Sequence, residues 1–545
     1  MKKIKFKSIF ISNCLLLLLL LLLLQSPISR AESAIEEQQV HIKASDFPNG
    51  FLFGASTSAY QIEGAVVEDG KSVSNWDIFC RTDGRISDGT NGDVADDHYH
   101  RYMEDIEIMH SLGLTAYRFS ISWSRILPRG RFGGVNQAAI IFYNSIIDNL
   151  VVRGIEPFVT IFHHEYPQEL EDRFGGWLSP LMQEEFVHLA EMCFKYFADR
   201  VKYWITINEP NLFSEMGYER ATYPPARCSP PFGNCATGNS DSEPLIVVHN
   251  MLLGHAKAAK LYRDQFKSKV DGLMSIAVCA FMYTPLTDNM YDKEAAKRAL
   301  AFNVAWTLDP LVYGDYPQEM KNYHGSELPS FSSEEKELLK DSIDFIGINH
   351  YGVLYAKDCV HSSCPCNDSS CTQGSDRPIR GFVYTTGERN GIPIGERTGM
   401  SRFFVVPSGM EDIVDYVKER YNNKTMFVTE NGYSSPNDED DIYEHDVKRI
   451  QYHRSYLEYL AQAIRKGADV RGYFIWSLMD NFEWSSGYAI KFGLYHIDRL
   501  TLNRIPKLSA NWYRDFLGNS SIVVDADSSI AISYENTDLS RVQSQ

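Results

Sequence analysis

Eight short runs of apolar, β-branched and aromatic residues recur along the chain, and each stops abruptly on polar or charged side chains. They are 51–64 (FLFGASTSAYQIEG), 116–126 (AYRFSISWSRI), 155–165 (IEPFVTIFHHE), 203–211 (YWITINEPN), 273–281 (LMSIAVCAF), 344–352 (DFIGINHYG), 426–433 (MFVTENGY) and 471–484 (RGYFIWSLMDNFEW). Longer stretches of a different period lie between them. In 180–200, Phe186, Leu189, Ala190, Cys193, Phe194 and Phe197 recur at three and four residues, the spacing of one helix face. Residues 446–466 read as a second such helix. Strands alternating with helices pair in parallel through crossover helices, and eight is the number that closes a (β/α)8 barrel. The pattern therefore predicts an α/β fold: a single (β/α)8 TIM barrel with loop insertions at the C-terminal face of its strands. The segment 358–400, rich in Cys, Ser, Gly and Arg, reads as one of those loops.

A barrel of this kind carries its chemistry at the C-terminal ends of the strands, and here those ends are unusually polar. They hold Gln61 and Glu63, Arg118, His163-His164-Glu165, Asn208-Glu209, Asn349 and Tyr351, Glu430-Asn431, and then Trp476, Glu483 and Trp484. Any one of them could simply cap a helix or satisfy a turn. Two stand apart, because an apolar run delivers a lone carboxylate and then breaks: Glu209 before Pro210, and Glu430 before Asn431-Gly432. Two carboxylates converging on one mouth are what glycoside hydrolysis requires, one protonated to release the leaving oxygen and one ionised to attack or activate water. Their mutual repulsion raises one pKa, and a nearby Arg118 keeps the other group charged. Other chemistries fit worse. His164-Glu165 lacks a second His four residues on, and neither a G-x-S-x-G elbow nor a phosphate-binding glycine loop occurs.

Composition narrows the partners and the compartment. The 545-residue chain carries a net charge of -18, with no basic run after residue 7, which argues against nucleic acid. Its first residues follow the order of a secretory signal: Lys2, Lys3, Lys5 and Lys7, ten leucines from Leu15 to Leu24, then the small residues of SPISRAESA. Cleavage after Ala31 would remove five positive charges and no acid, taking -18 to -23. The expected location is extracellular (apoplast, cell wall) or vacuolar, with no ER-retention tetrapeptide at the RVQSQ end. In such a compartment Cys228 and Cys235, which bracket SPPFGN, are placed for a disulfide, and Cys359, Cys364, Cys366 and Cys371 crowd one polar insertion. Cys193 and Cys279 sit in apolar surroundings and read as buried free thiols. Asn367, Asn423 and Asn519 head N-glycosylation sequons.

The segments FLFGASTSAYQIEGA, YRFSISWSRI, TINEPN, DFIGINHY, VTENG and WSLMDNFEW together resemble glycoside hydrolase family 1, the β-glucosidase family, in its plant branch. The similarity runs in order from about residue 46 to 518 and includes LDPLVYGDYP and PKLSANWY. It implies one catalytic domain, 32–545, behind a signal peptide at 1–31. The implied activity is that of a retaining β-D-glucosidase, working by double displacement through a covalent glucosyl-enzyme intermediate. No cofactor or metal is implied, and the partner is a small-molecule β-glucoside, with no membrane anchor left after signal cleavage. By the resemblance Glu209 matches the acid/base and Glu430 the nucleophile, supported by Arg118, Asn349 and Tyr351. Asn208 would hold the sugar 2-hydroxyl, and Gln61, His163, Glu483 and Trp484 the other hydroxyls, with Trp476 and Phe492 as apolar walls.

Arg402 and Phe403 stand where many plant members place a tryptophan on the aglycone wall, and Glu165 stands where Asp is commoner. Myrosinases carry Gln at the position of Glu209, so this chain keeps a group able to protonate an ordinary alcohol or phenol. Enzymes for 6-phospho-sugars lack the Glu483-Trp484 pair, which points to an unphosphorylated sugar. The YAKDCVHSSC…RGFVYTTG segment is similar to the monolignol-glucoside (coniferin-type) subgroup. Two alternatives stand beside hydrolysis: a transglucosidase using the same intermediate, and a catalytically silent sugar-binding barrel.

Overall fold

The computed structural model describes residues 42–267, 271–364, 373–435 and 446–518. The expected leader at 1–31, the sequons at Asn367 and Asn519, and Cys366 and Cys371 lie outside the described residues. In the compact unit that starts at Ala44, eight strands close into a barrel. They are β1 (Leu52–Ser56), β2 (Ala116–Ser120), β3 (Glu156–Phe162), β4 (Tyr203–Asn208), β5 (Leu273–Cys279), β6 (Ile346–Asn349), β7 (Met426–Asn431) and β8 (Val470–Trp476). Each pairs in parallel with the strands before and after it, and β8 closes on β1. Every strand falls within one of the eight runs read from the sequence, give or take a residue.

The N-terminal half of the barrel is plugged by Ala116, Phe158, Ile205, Ala277, Phe345, Phe427 and Phe474. The Phe158 ring stacks on Tyr203 with centroids 4.2 Å apart, and burying each such aromatic contributes roughly 1.5–3 kcal/mol. With that end sealed, the opposite end is left for polar side chains.

Strict alternation would misplace two of them. Ile205 and Phe427 face the interior, so a period of two sends Asn208 and Glu430 toward the surrounding helices. The register slips in both strands instead: between Ile205 and Asn208 against β5, and between Val428 and Glu430 against β6. Such irregularities re-aim a side chain, and here they turn both residues into the barrel. Glu209 follows with a left-handed backbone, φ +44°, unusual for a residue with a Cβ. Gly432 is required by a close approach: a Cβ there would lie 1.9 Å from the Trp476 carbonyl oxygen.

The insertion at 358–400 is more ordered than a loop reading implies. Met282–Pro285, Val353–Asp358 and Val383–Thr386 form a small sheet beside the mouth. Cys228 and Cys235 are disulfide-bonded, S–S 2.09 Å, and Cys359 pairs with Cys364. Among the described residues Cys80, Cys193 and Cys279 are free thiols, the last two buried. Asn423 is exposed in the turn before β7, at the sealed end, where its amide donates to the Gly467 carbonyl. Among the described residues no helix is long and apolar enough to cross a membrane.

Candidate active site

A cavity of about 350 Å³ opens at the C-terminal ends of the strands. His163 after β3, Glu209 after β4, Cys279 on β5, Tyr351 after β6, Glu430 on β7 and Trp476 on β8 all line it, with Glu483, Trp484 and Phe492 from the segment after β8. Seven of the polar and aromatic strand-end residues read from the sequence, His163, Glu209, Tyr351, Glu430, Trp476, Glu483 and Trp484, thus line one cavity.

Glu430 is gripped through both oxygens. Arg118, fully buried on β2, donates from Nη1 to Oε1 at 2.5 Å, and the Tyr351 hydroxyl donates to Oε2 at 2.7 Å. The second arm of Arg118 donates to Asn208 Oδ1 at 2.6 Å, and Asn349 Nδ2 donates to the same oxygen at 3.1 Å. Asn349 Nδ2 also donates to Glu209 Oε1 at 3.0 Å. A continuous ladder, Glu430–Arg118–Asn208–Asn349–Glu209, therefore sets the two carboxyl groups relative to each other. Its rungs come from four strands and the turn after β4, so neither carboxyl can drift without breaking bonds to a neighbour.

The two carboxyls differ in what surrounds them. Burial, and next the charge of Glu430, push Glu209 well above the ordinary carboxyl range, outweighing the amide of Asn349 and the more distant Arg118. Glu209 is thus the group that holds a proton at neutral pH, while Glu430 lies against the Arg118 guanidinium. Glu483 is pushed up to about 8, again by burial first and Glu430 second. Below that pH it is largely a neutral acid, able to donate as well as accept.

His163 is kept neutral by burial, with His164 and Arg118 as like-signed neighbours. Its Nε2 lies 3.1 Å from the donating Asn208 Nδ2, which leaves Nδ1–H, buried and without an acceptor among the described residues. That is a donor waiting for a hydroxyl. The imidazole lies between Trp476 and Trp484, 5.9 and 5.8 Å from their rings and near parallel to both. Phe403 stacks on Tyr351 at 5.0 Å, and Phe492 meets Tyr351 edge-on at 5.9 Å. A slot with aromatic walls and a few fixed polar groups suits a pyranose, whose ring faces are apolar and whose rim is hydroxylated.

One expected contact comes out differently, and two amides expected on the sugar are buried among neighbours. Asn349 was grouped with Arg118 beside Glu430, but its amide donates to Glu209 and Asn208, because the slip in β7 carries the Glu430 carboxyl toward Arg118 and Tyr351. Asn208, expected on a sugar hydroxyl, is fully buried, with its oxygen given to Arg118 and Asn349 and its nitrogen to His163. Gln61, also expected on the sugar, is likewise buried: its nitrogen serves Asn481, the Phe482 carbonyl and, at 3.4 Å, Glu483, while its oxygen accepts from Ser58. Both are thus fixed by neighbouring side chains at the inner end of the cavity. Glu165 is a structural anchor, accepting from the Trp123 and Ser124 amides.

The sequence reads Cys279 as a buried free thiol, which it is, but not as a cavity residue: its thiol faces Glu209 and is kept protonated by burial and that carboxyl. Its place at the end of β5 was the available signal. Sequence reasoning missed Glu215, Glu219, Arg220 and Arg380, which line the outer cavity with Arg402 and Phe403. Glu215 lies on the helix that follows Glu209, Glu219 caps its end and Arg220 comes next, so these three are close in sequence; Arg380 arrives from far along the chain.

A closed eight-stranded parallel barrel with paired glutamates at its mouth defines the class: a (β/α)8 enzyme scaffold built around a carboxyl pair. Comparison with known proteins places it further. Residues 43–521 match glycosyl hydrolase family 1, and the chain belongs to that family. It is 52% identical over 479 residues to a coniferin β-glucosidase of Pinus contorta, covering 87% of this chain and 92% of that one. It is 51% identical over 483 residues to a rice (Oryza sativa subsp. japonica) protein named "Probable inactive beta-glucosidase 14", covering 88% and 92%. The crystal structure of a rice β-glucosidase superposes with a TM-score of 0.83 at 42% identity, over 87% of this chain and 99% of the other. A Glu-to-Gln mutant of that rice enzyme, solved in a covalent complex with Glc, superposes with a TM-score of 0.82.

Proposed function

We propose that the protein hydrolyses β-D-glucosides with retention of configuration, Glu430 attacking the anomeric carbon and Glu209 serving first as acid and then as base. The observation that carries this is the asymmetry of the buried pair: one carboxyl held on Arg118 and Tyr351, the other driven toward its protonated form by burial and by the first. Double displacement needs that division of labour. The covalent Glc held by the structural neighbour supports a glucosyl-enzyme intermediate for the family. The name of the rice relative raises the question of a silent barrel. This chain keeps both carboxyls and every member of the ladder between them, and a sugar-binding protein gains nothing from a buried like-charge pair.

A phenolic aglycone is supported by the aromatic wall of Phe403, Tyr351 and Phe492 and by the similarity to the coniferin β-glucosidase. The lysine-rich, leucine-rich leader, the two disulfides and the exposed Asn423 support a secreted or vacuolar glycoprotein.

The test is trapping with a 2-deoxy-2-fluoro-β-glucoside carrying a good leaving group. The fluorine slows both steps, and the leaving group rescues only formation of the intermediate. Proteolysis and mass spectrometry should find the sugar on Glu430. A sugar on another carboxyl would break the role assignment, and an unlabelled, folded protein would favour the silent barrel.

Tyr351→Phe separates the hydroxyl from the ring. Loss of one hydrogen bond to a charged group is worth about 1.5–3 kcal/mol, so kcat/KM on an aryl β-glucoside should fall ~10–150-fold. An unchanged rate would show that Arg118 alone orients the nucleophile.

A further inference from the structure

The helix Pro210–Tyr218 begins at Glu209 and runs outward along the cavity wall. Leu212, Glu215, Met216 and Glu219 all line the cavity, the three-and-four spacing of one helix face. Six residues separate Glu215 from the acid/base, a rise of ~9 Å. Met216, Phe281 and Phe403 give the cavity an apolar stretch of wall. At the level of Glu215 it becomes charged. Arg220 Nη2 lies 2.9 Å and Arg380 Nη2 3.1 Å from Glu215 Oε1, and Arg380 also pairs with Glu219. Arg402 closes the group and donates to Thr385 Oγ1 at 3.2 Å.

Among the described residues the outer cavity therefore holds three guanidiniums and two carboxylates, in a protein whose overall charge is -18. The local balance is positive, and burial sharpens it. Arg380 and Arg220 keep Glu215 ionised against the effect of burial, whereas burial pushes Glu219 up to about 7, close to neutralising it. Burial and the like charge of Arg220 depress Arg402 to about 10, which still leaves it cationic. Arg380 Nε is buried with no acceptor among the described residues, a donor in a half-dry cavity that a ligand oxygen would satisfy.

We propose that this cluster recognises an anionic group, a carboxylate, at the far end of an aromatic aglycone. The ring lies in the apolar stretch beside Phe403, and the carboxylate meets the guanidiniums about one and a half helical turns from Glu209. Guanidiniums suit the role because their planar fork matches a carboxylate's two oxygens. A neutral hydroxyl in the same place makes weaker bonds to a guanidinium than a carboxylate does. The inference rests on the glucosidase reading for the placement of the sugar, and it names the aglycone class that reading leaves open.

The experiment compares two substrates that differ only at that end: the β-D-glucosides of 4-(2-carboxyethyl)phenol and 4-(3-hydroxypropyl)phenol. The saturated arm insulates the phenol, so leaving-group strength is nearly matched. The wild-type protein should prefer the carboxylate about 10-fold or more in kcat/KM, one charge-assisted contact's worth. In Arg402→Met that ratio should collapse toward 1, and in Arg402→Lys part of it should return. Taking the ratio within one preparation cancels differences in folded, active protein. A wild-type ratio at or below 1, or a ratio unchanged in Arg402→Met, would overturn the proposal. Hydrolysis of neither substrate, nor of 4-nitrophenyl β-D-glucoside, would overturn the glucosidase reading instead. Calorimetric titration with the two free phenols then decides the cluster by itself: tighter binding of the acid than of the alcohol supports it, and equal binding refutes it.

Discussion

Glu430→Gln is expected to abolish turnover, lowering kcat/KM on 4-nitrophenyl β-D-glucoside by about 10⁵-fold or more, the range in which loss of a covalent nucleophile falls. The reason is chemical rather than architectural. An amide keeps the volume and still accepts from Tyr351, which now donates to Oε2 at 2.7 Å, but it has no charge with which to attack. Arg118, fully buried, loses its anion, and an uncompensated buried charge costs about 3–5 kcal/mol of stability. Thermal unfolding should therefore shift down while the circular dichroism of the barrel is retained.

Glu430→Gly adds a positive readout. It empties the position below the sugar, and azide should enter there and attack an activated glucosyl fluoride of the appropriate configuration from the vacated face. The product is then an azide of inverted configuration, made with no enzyme-bound sugar. A rate loss below about 10²-fold in Glu430→Gln, with no azide adduct from Glu430→Gly, would hand the nucleophile's role to another carboxyl. Glu483, in the same cavity, would be the first to examine.

Glu209→Gln should lose about 10²–10⁴-fold in kcat on substrates whose leaving group needs a proton, the usual contribution of a general acid. The loss should depend on the aglycone. A 2,4-dinitrophenyl leaving group departs without protonation, so formation of the intermediate stays fast, while its hydrolysis, now without a base, becomes slow. A burst of phenol and a lowered apparent KM are the expected signs. Azide, needing no deprotonation, should restore turnover with retained configuration, the opposite stereochemistry from Glu430→Gly.

The pH dependence carries its own sign. The folded pKa of Glu209 is raised, so the acid is present at low pH and its activity is lost as pH rises through that value. The wild-type kcat/KM profile should keep its basic limb well above the ~4.3 of an ordinary glutamate. Because Glu209, Glu430 and Glu483 share one buried cavity, that limb belongs to the set rather than to a single group. In Glu209→Gln the proton donor is gone, so on a substrate whose leaving group needs protonation that basic limb should flatten or shift. A basic limb unmoved by the substitution would separate Glu209 from acid catalysis.

Much of this protein is legible along the chain. Eight apolar runs at regular intervals dictate eight strands, because a parallel strand buried on both faces must be apolar throughout, and the longer three-and-four pattern between them dictates the covering helices. The carboxylates follow from the same logic: a charge at the end of a buried strand, before Pro210 or Gly432, has only the mouth of the barrel to face. Cys228 and Cys235 flank a loop too short to keep them apart. These are local facts, set by residues close in sequence.

Tertiary structure decided which atoms meet. Slips of register in β4 and β7 override the period of two and swing Asn208 and Glu430 inward, and no residue code marks where a strand slips. Once inward, Asn208 is held by Arg118, Asn349 and His163, and Gln61 by Asn481 and Glu483, so both amides expected on the sugar are fixed in place by their neighbours. Whether a buried amide faces a ligand or a neighbour depends on how many partners already surround it, and those partners come from strands hundreds of residues apart. The charged outer cavity is the extreme case. Glu215, Glu219 and Arg220 lie together on the chain, but Arg380 and Arg402 reach them only because the insertion folds into a sheet beside the mouth. Hydrophobic period is written locally and survives reading one residue after another; charge compensation is a sum over everything within a few ångströms, and only the folded chain supplies that sum.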